Sequence, residues 1–274
     1  MALSEGLLGF RNPVEALPEA QAALEAYQKA GDIMGQTEAH ALLATCLRGV
    51  GKDGPASLEA RKAITLTTST QAAPFLNPET IYPMTDSLLR GHGLAAQKGQ
   101  YREAMNDILS LLILKRYQHR LRTQREAPLG LKEGELLAYL ALYALEQGHP
   151  LPGQVFLALS DMAAQQGLDL HSRARCRWIA GRFWRRAGNP AKALEILGKA
   201  EDYAFGDPDP ELLIHVLEER GLAHLQMRQR DQASKAIQQA FDEAAANNRS
   251  ADVARLRSYM DAIAKGQTGI EPMP

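Results

Sequence analysis

Residues 180–200 read AGRFWRRAGNPAKALEILGKA, and residues 220–240 read RGLAHLQMRQRDQASKAIQQA. Laid one on the other, the two stretches share a small residue (Gly181, Gly221), an apolar or aromatic place three later (Trp184, His224) and a small residue nine beyond that (Ala193, Ala233). They then share Leu197 or Ile237 and Ala200 or Ala240, so that all five places are displaced by forty residues. The spacing has a physical cause. Two antiparallel helices joined by a tight turn cross closely only where one backbone meets Ala or Gly, and larger side chains fill the gaps beside the crossing.

Towards the N-terminus the same spacing is met by Ala141, Ala144, Gly153, Leu157 and Ser160, by His92, Ala95, Ala104, Ile108 and Leu111, and by Ala44, Leu47, Ala56, Ala60 and Ala63. Gly51, Gly99, Gly148 and Gly188 each follow the apolar place by four residues, where a first helix should end in a left-handed residue. Pro55, Pro150 with Pro152, and Pro190 stand where second helices should begin. Each pair leaves an apolar face that only a neighbouring pair can cover. The expectation is therefore an all-α solenoid of five to six antiparallel helix pairs, anchored near residues 16, 56, 104, 153, 193 and 233. It would form a single array over residues 1–265, with a short tail at 266–274.

Composition agrees with helix. The only valines are Val14, Val50, Val155, Val216 and Val253, so a strand-rich fold lacks its usual β-branched material. A net charge of -1 argues against a general phosphate-binding surface. The two cysteines, Cys46 and Cys176, fall in separate predicted helices with no metal-ligand spacing, which suits a reducing compartment. Residues 1–10 lack a basic leader and a long apolar run, and no stretch has the roughly 18 apolar residues of a membrane span, so a cytoplasmic protein is expected.

The middle of the chain is irregular, because the steps from Ala56 to Ala104 and from Ala104 to Gly153 are 48 and 49 residues. The extra length is assigned to a Thr-, Ser- and Pro-rich loop over 67–83 and to a long second helix from about Tyr101 to Arg125. Asn12-Pro13 with Ala16-Leu17 repeats Asn189-Pro190 with Ala193-Leu194, so a second helix should open at Pro13. Only Ser4 and Leu7 would remain of its first helix, which is the mark of a half-unit cap or of a piece of a longer protein. Residues 251–265 read as a capping helix.

Ala180-Gly181, Trp184, Ala193, Leu197 and Ala200 match the signature of the tetratricopeptide repeat, which this chain resembles over most of its length. It departs from that family in having Phe205 and Ala245 where the closing proline belongs, and a period near 40 residues instead of 34. Longer units of this kind resemble those of kinesin light chains, LGN-type adaptors and bacterial regulators of the Rap and MalT types. The resemblance implies a right-handed superhelix whose first helices line a concave groove.

In that arrangement the groove residues beside Gly181 are Arg175, Trp178, Arg182 and Arg185, followed one unit later by His215 and Glu218. Guanidinium groups next to an aromatic ring can hold carboxylates, which points to an acidic protein or peptide partner. The alternative is that Trp178 packs between units while the arginines pair with acids such as Glu135, Glu146 and Glu218. The chaperone-binding carboxylate clamp is not expected, because its asparagine place holds Thr45, Gly93 or Leu142.

A basic run of Lys115, Arg116, Arg120, Arg122 and Arg125, with Tyr117 and His119, reads as a solvated helix end more than as a nucleic-acid surface. The seven histidines form no paired metal spacing, and no phosphate loop, dinucleotide fingerprint or nucleophile elbow is present. The expected function is a non-catalytic scaffold with no cofactor, metal or membrane. A module that senses a small ligand or signalling peptide for a larger regulator is the alternative, and self-association through the terminal units is a third possibility.

Overall fold

The computed structural model describes residues 12–69, 78–123, 131–165, 169–205 and 209–266. These form twelve helices with no strand among them. In chain order they are α1 (Pro13–Ala30), α2 (Ile33–Gly49), α3 (Asp53–Ser69), α4 (Pro78–Gln97), α5 (Tyr101–Thr123) and α6 (Leu131–Glu146), followed by α7 (Pro150–Gln165), α8 (Leu170–Arg186), α9 (Pro190–Ala204), α10 (Pro210–Gln226), α11 (Arg230–Ala246) and α12 (Ser250–Ala264).

The chain falls into two compact units, Met1–Pro128 and Leu129–Pro274. In the first, each of α1 to α4 packs on the next, and α2 also meets α4 as α3 meets α5. In the second, the tight pairs are α6 with α7, α8 with α9 and α10 with α11, and α12 closes on α11. The first helices α6, α8 and α10 also touch in succession. Pair stacks on pair, as in a helical-repeat solenoid.

The core of the second unit is accordingly a relay. Ala141, Leu157 and Phe183 join α6, α7 and α8; Ala174, Leu197 and Val216 join α8, α9 and α10; Ile214, Ile237 and Leu256 join α10, α11 and α12. No pair is covered without its neighbour.

The crossings lie where the spacing puts them. Ala16, Ala56, Ala104, Ala193 and Ala233 are buried, the last four completely. A Cβ on Gly181 would stand 2.5 Å from Leu197, and one on Gly221 would stand 2.6 Å from Ile237, so the same Gly-to-branched-residue contact recurs forty residues on.

The caps explain the helix ends. Asn12, Asp32, Asp169, Asn189 and Asp209 each accept a hydrogen bond from a backbone N–H in the first turn that follows. Gly188 has φ +78°, and the next N–H, that of Asn189, closes onto the carbonyl of Trp184 at 2.9 Å. Between α10 and α11 the same turn is made by Arg228 at φ +59°, with Gln229 N–H donating to the His224 carbonyl at 2.9 Å. Side chains disfavour this region, so Arg228→Gly should stabilise the second unit by about 0.5–1 kcal/mol. A urea midpoint that stays put or falls would refute it.

The loop assigned to residues 67–83 is shorter than its composition suggests, because α3 runs through Ser69 and α4 starts at Pro78. Thr65, Thr67 and Thr68 donate their hydroxyls to the carbonyls of Arg61, Ala63 and Ile64, which keeps them inside the helix. Pro83 sits in the second turn of α4, where it removes only the bond to the carbonyl four residues earlier. The remainder, 70–77, lies outside the described residues, as do Ser4, Leu7 and 267–274. The long second helix is α5, and the capping helix is α12. No described helix is long and apolar enough to cross a membrane.

Candidate interaction face

The first helices of the second unit carry charge of alternating sign. On α6 stand Glu135 and Glu146; on α8, Arg175, Arg182, Arg185 and Arg186; on α10, Glu211, Glu218 and Glu219; at the start of α12 and on it, Arg249 and Arg255. Each helix pairs with the one before or after it. Arg175 lies 3.4 Å from Glu135, and Arg186 bonds Glu146. Beyond α10, Arg255 reaches Glu218 at 2.8 Å and Arg249 reaches Glu211 at 2.9 Å.

The centre of this ladder is buried. Arg185 is only 4% exposed, and its Nε donates to Glu219 at 2.6 Å, while Arg182 approaches the other oxygen of Glu219 at 3.4 Å. Arg185 therefore faces inward, and the expectation that it stands open in a groove is corrected. Arg182, one turn earlier, stays 27% exposed. Glu218 is also buried, held by Arg255 and by His215 at 3.8 Å. Burial works to raise its pKa, but His215 and Arg255 more than offset that and hold the carboxyl below its usual range.

Between the two arginine positions lies an aromatic pair. Trp178 stacks on His215 with ring centroids 5.1 Å apart and planes 20° from parallel. The indole N–H of Trp178 has no acceptor among the described residues. Arg175 flanks the pair at 35% exposure, with long contacts of 3.4 Å to Glu135 and 3.5 Å to the Tyr139 hydroxyl. Of the six residues singled out from the sequence, Arg175, Trp178, Arg182 and His215 thus share one partly open strip, and Arg185 and Glu218 lie beneath it.

Glu219 was missed. Its repeat partner forty residues earlier is the fully buried Ile179, so a carboxylate at that place is itself the signal of a buried counter-charge for an inward arginine. The pairing of arginines with acids across units was anticipated, with Glu219 as the chief acid where Glu218 was expected.

The remaining chemistry-bearing residues are quiet. Cys46 and Cys176 are buried free thiols; burial pushes Cys176 up to about 12 and raises Cys46 as well, which makes both poor nucleophiles. No cluster of three metal-ligating side chains occurs among the described residues. In the basic run, Lys115, Arg116, Tyr117 and His119 lie on α5, and Arg125 falls outside the described residues. No protein-family model matches the chain, and no curated protein is significantly similar to it in sequence.

Proposed function

We propose that the chain is a tetratricopeptide-like scaffold and that the strip formed by Arg175, Trp178, Arg182 and His215 binds a protein segment carrying carboxylates. The supporting observation is the difference between tight and loose arginines on one helix. Arg185 is bound at 2.6 Å and buried, whereas Arg175 and Arg182 hold their acids only at 3.4 Å and keep about a third of their surface in water. A fork so loosely held can turn to an incoming carboxylate without leaving a buried charge behind. The stacked Trp178–His215 pair gives such a segment an apolar platform beside the two guanidinium groups.

A peptide-display selection on the folded protein tests this. Enriched sequences should carry Asp or Glu beside an apolar residue, and their affinity should fall about tenfold or more in Arg175→Ala/Arg182→Ala, about 1.4 kcal/mol or more. Both side chains are partly exposed, so the variant should keep its melting temperature. Enrichment without acidic residues, or undiminished binding by the double variant, would overturn the proposal.

A further inference from the structure

The opposite side of the second unit, where second helices α7 and α9 flank α8, holds a cleft of about 420 Å³. It lies away from the ion-pair ladder and owes nothing to the reading above. Its floor includes Ala180 and Arg177 from α8, with Trp184 as a wall; Lys192 and Lys199 come from α9 and Asp161 from α7.

The forty-residue register explains why the cleft exists. At the next gap, between α9 and α11, the place of Ala180 is taken by Arg220, and the place of Asp161 by Glu201. Arg220 and Glu201 form an ion pair, so that gap is plugged by a long side chain with its charge cancelled. At Ala180 the plug is missing.

A second difference is independent of the first. Arg177, Lys192 and Lys199 correspond to Leu217, Gln232 and Gln239 one unit on, so three neutral places have become cationic around the open gap. Asp161 offsets only one of them. It is held by Gln165 at 2.9 Å and lies 3.8 Å from Arg177. Lys199 has a surface partner in Glu195 at 3.1 Å, which in water is a weak tie. Lys192 stands over the Trp184 ring, 3.6 Å from its centroid, and so sets a positive charge beside an aromatic wall.

We propose that this cleft binds a small amphipathic organic anion, with its apolar body against Trp184, Leu157 and Ile196 and its acidic oxygens on Arg177, Lys192 and Lys199. The volume is in the range of small-molecule sites, and the lining combines apolar walls with three cations against one carboxylate, Asp161. An unplugged gap and a gain of cations at the same unit are what an anion site requires; a merely loose packing defect would need only the first.

The probe is 8-anilinonaphthalene-1-sulfonate, an aromatic sulfonate that fluoresces when it leaves water and accepts energy from tryptophan. The folded protein should bind it saturably at a single site, with energy transfer from tryptophan. Ala180→Arg, which copies the plug of the next unit and brings a second guanidinium to Asp161, should weaken binding tenfold or more while the melting temperature holds or rises. Lys192→Gln/Lys199→Gln, which copies the next unit's charges without filling space, should weaken it comparably and decides the matter if the first variant fails to fold. Arg175→Ala/Arg182→Ala should leave dye binding intact, which separates this site from the peptide strip. Absence of saturable binding, equal binding by a folded Ala180→Arg protein, or stronger binding of an uncharged naphthylamine or a cationic dye would overturn the assignment.

Discussion

Glu219→Ala should destabilise the second unit by about 3–5 kcal/mol, the usual loss when one partner of a buried ion pair is removed. Arg185 and Glu219 are each 4% exposed, and the Arg185 Nε–Glu219 contact is 2.6 Å, so neither group can turn to water when the other is gone. Removing Glu219 also strips Arg182 of its only nearby acid among the contacts described. The cost belongs to the orphaned charge and not to the pair as such, and Arg185→Leu/Glu219→Leu should therefore come back to within about 1–2 kcal/mol of the parent. Urea unfolding of both variants measures this. A Glu219→Ala loss below about 1 kcal/mol, or a double variant as unstable as the single one, would show that the burial has been misjudged. The same geometry means that reversing the charge of Arg185 would unfold the unit before it told anything about a partner.

In the first unit, Asp107→Asn should become progressively more stable relative to the parent as the pH rises from 4 to 7. Asp107 on α5 is 1% exposed. Burial raises its pKa most strongly; Arg61 and the Ser57 hydroxyl lower it and the neighbouring Glu103 raises it, with the outcome at about 6. Ser57 donates to both oxygens at 2.9 and 3.0 Å, and Arg61 lies 3.1 Å away. A carboxyl whose folded-state pKa stands above its unfolded value of 3.8 stabilises the fold fully below that value and loses this contribution as the pH passes through about 6. At neutral pH the ionised form costs on the order of 3 kcal/mol, at 1.36 kcal/mol per pKa unit. Asparagine keeps an oxygen for Ser57 and does not ionise, and Arg61, 20% exposed, can find water. The stability difference between variant and parent should thus grow by on the order of 2 kcal/mol between pH 4 and pH 7. A difference that is flat or shrinks over that range would mean that Arg61 holds the carboxylate charged throughout.

What the sequence made legible follows from which residues have no freedom. A crossing needs Ala or Gly, and a left-handed turn favours Gly, so Ala56, Ala104, Ala193 and Ala233 and the glycines at 51, 99, 148 and 188 are where the spacing puts them. Arginine has such freedom. Arg182 and Arg185 are one helical turn apart, alike in composition, and nothing local tells which points inward; the answer depends on Glu219, thirty-four residues away on another helix. The threonines after Thr65 misled in a similar way, because a hydroxyl that suits a loop can also bond back to its own helix. The cleft at Ala180 was invisible for the opposite reason: alanine there looks like ordinary packing until Arg220 is seen at the equivalent place.

The alternation of acidic and basic first helices bears on how such a gene can lengthen. In a tandem copy of α8 and α9 alone, the second α8 would offer Ile179 where Arg185 now meets Glu219, and an arginine would be sealed in with no counter-ion. Duplicating α8 to α11 as a block avoids this, since the copied Arg175 would arrive where Arg255 now answers Glu218. Inheritance by copying is thereby restricted to even steps, two hairpins at a time.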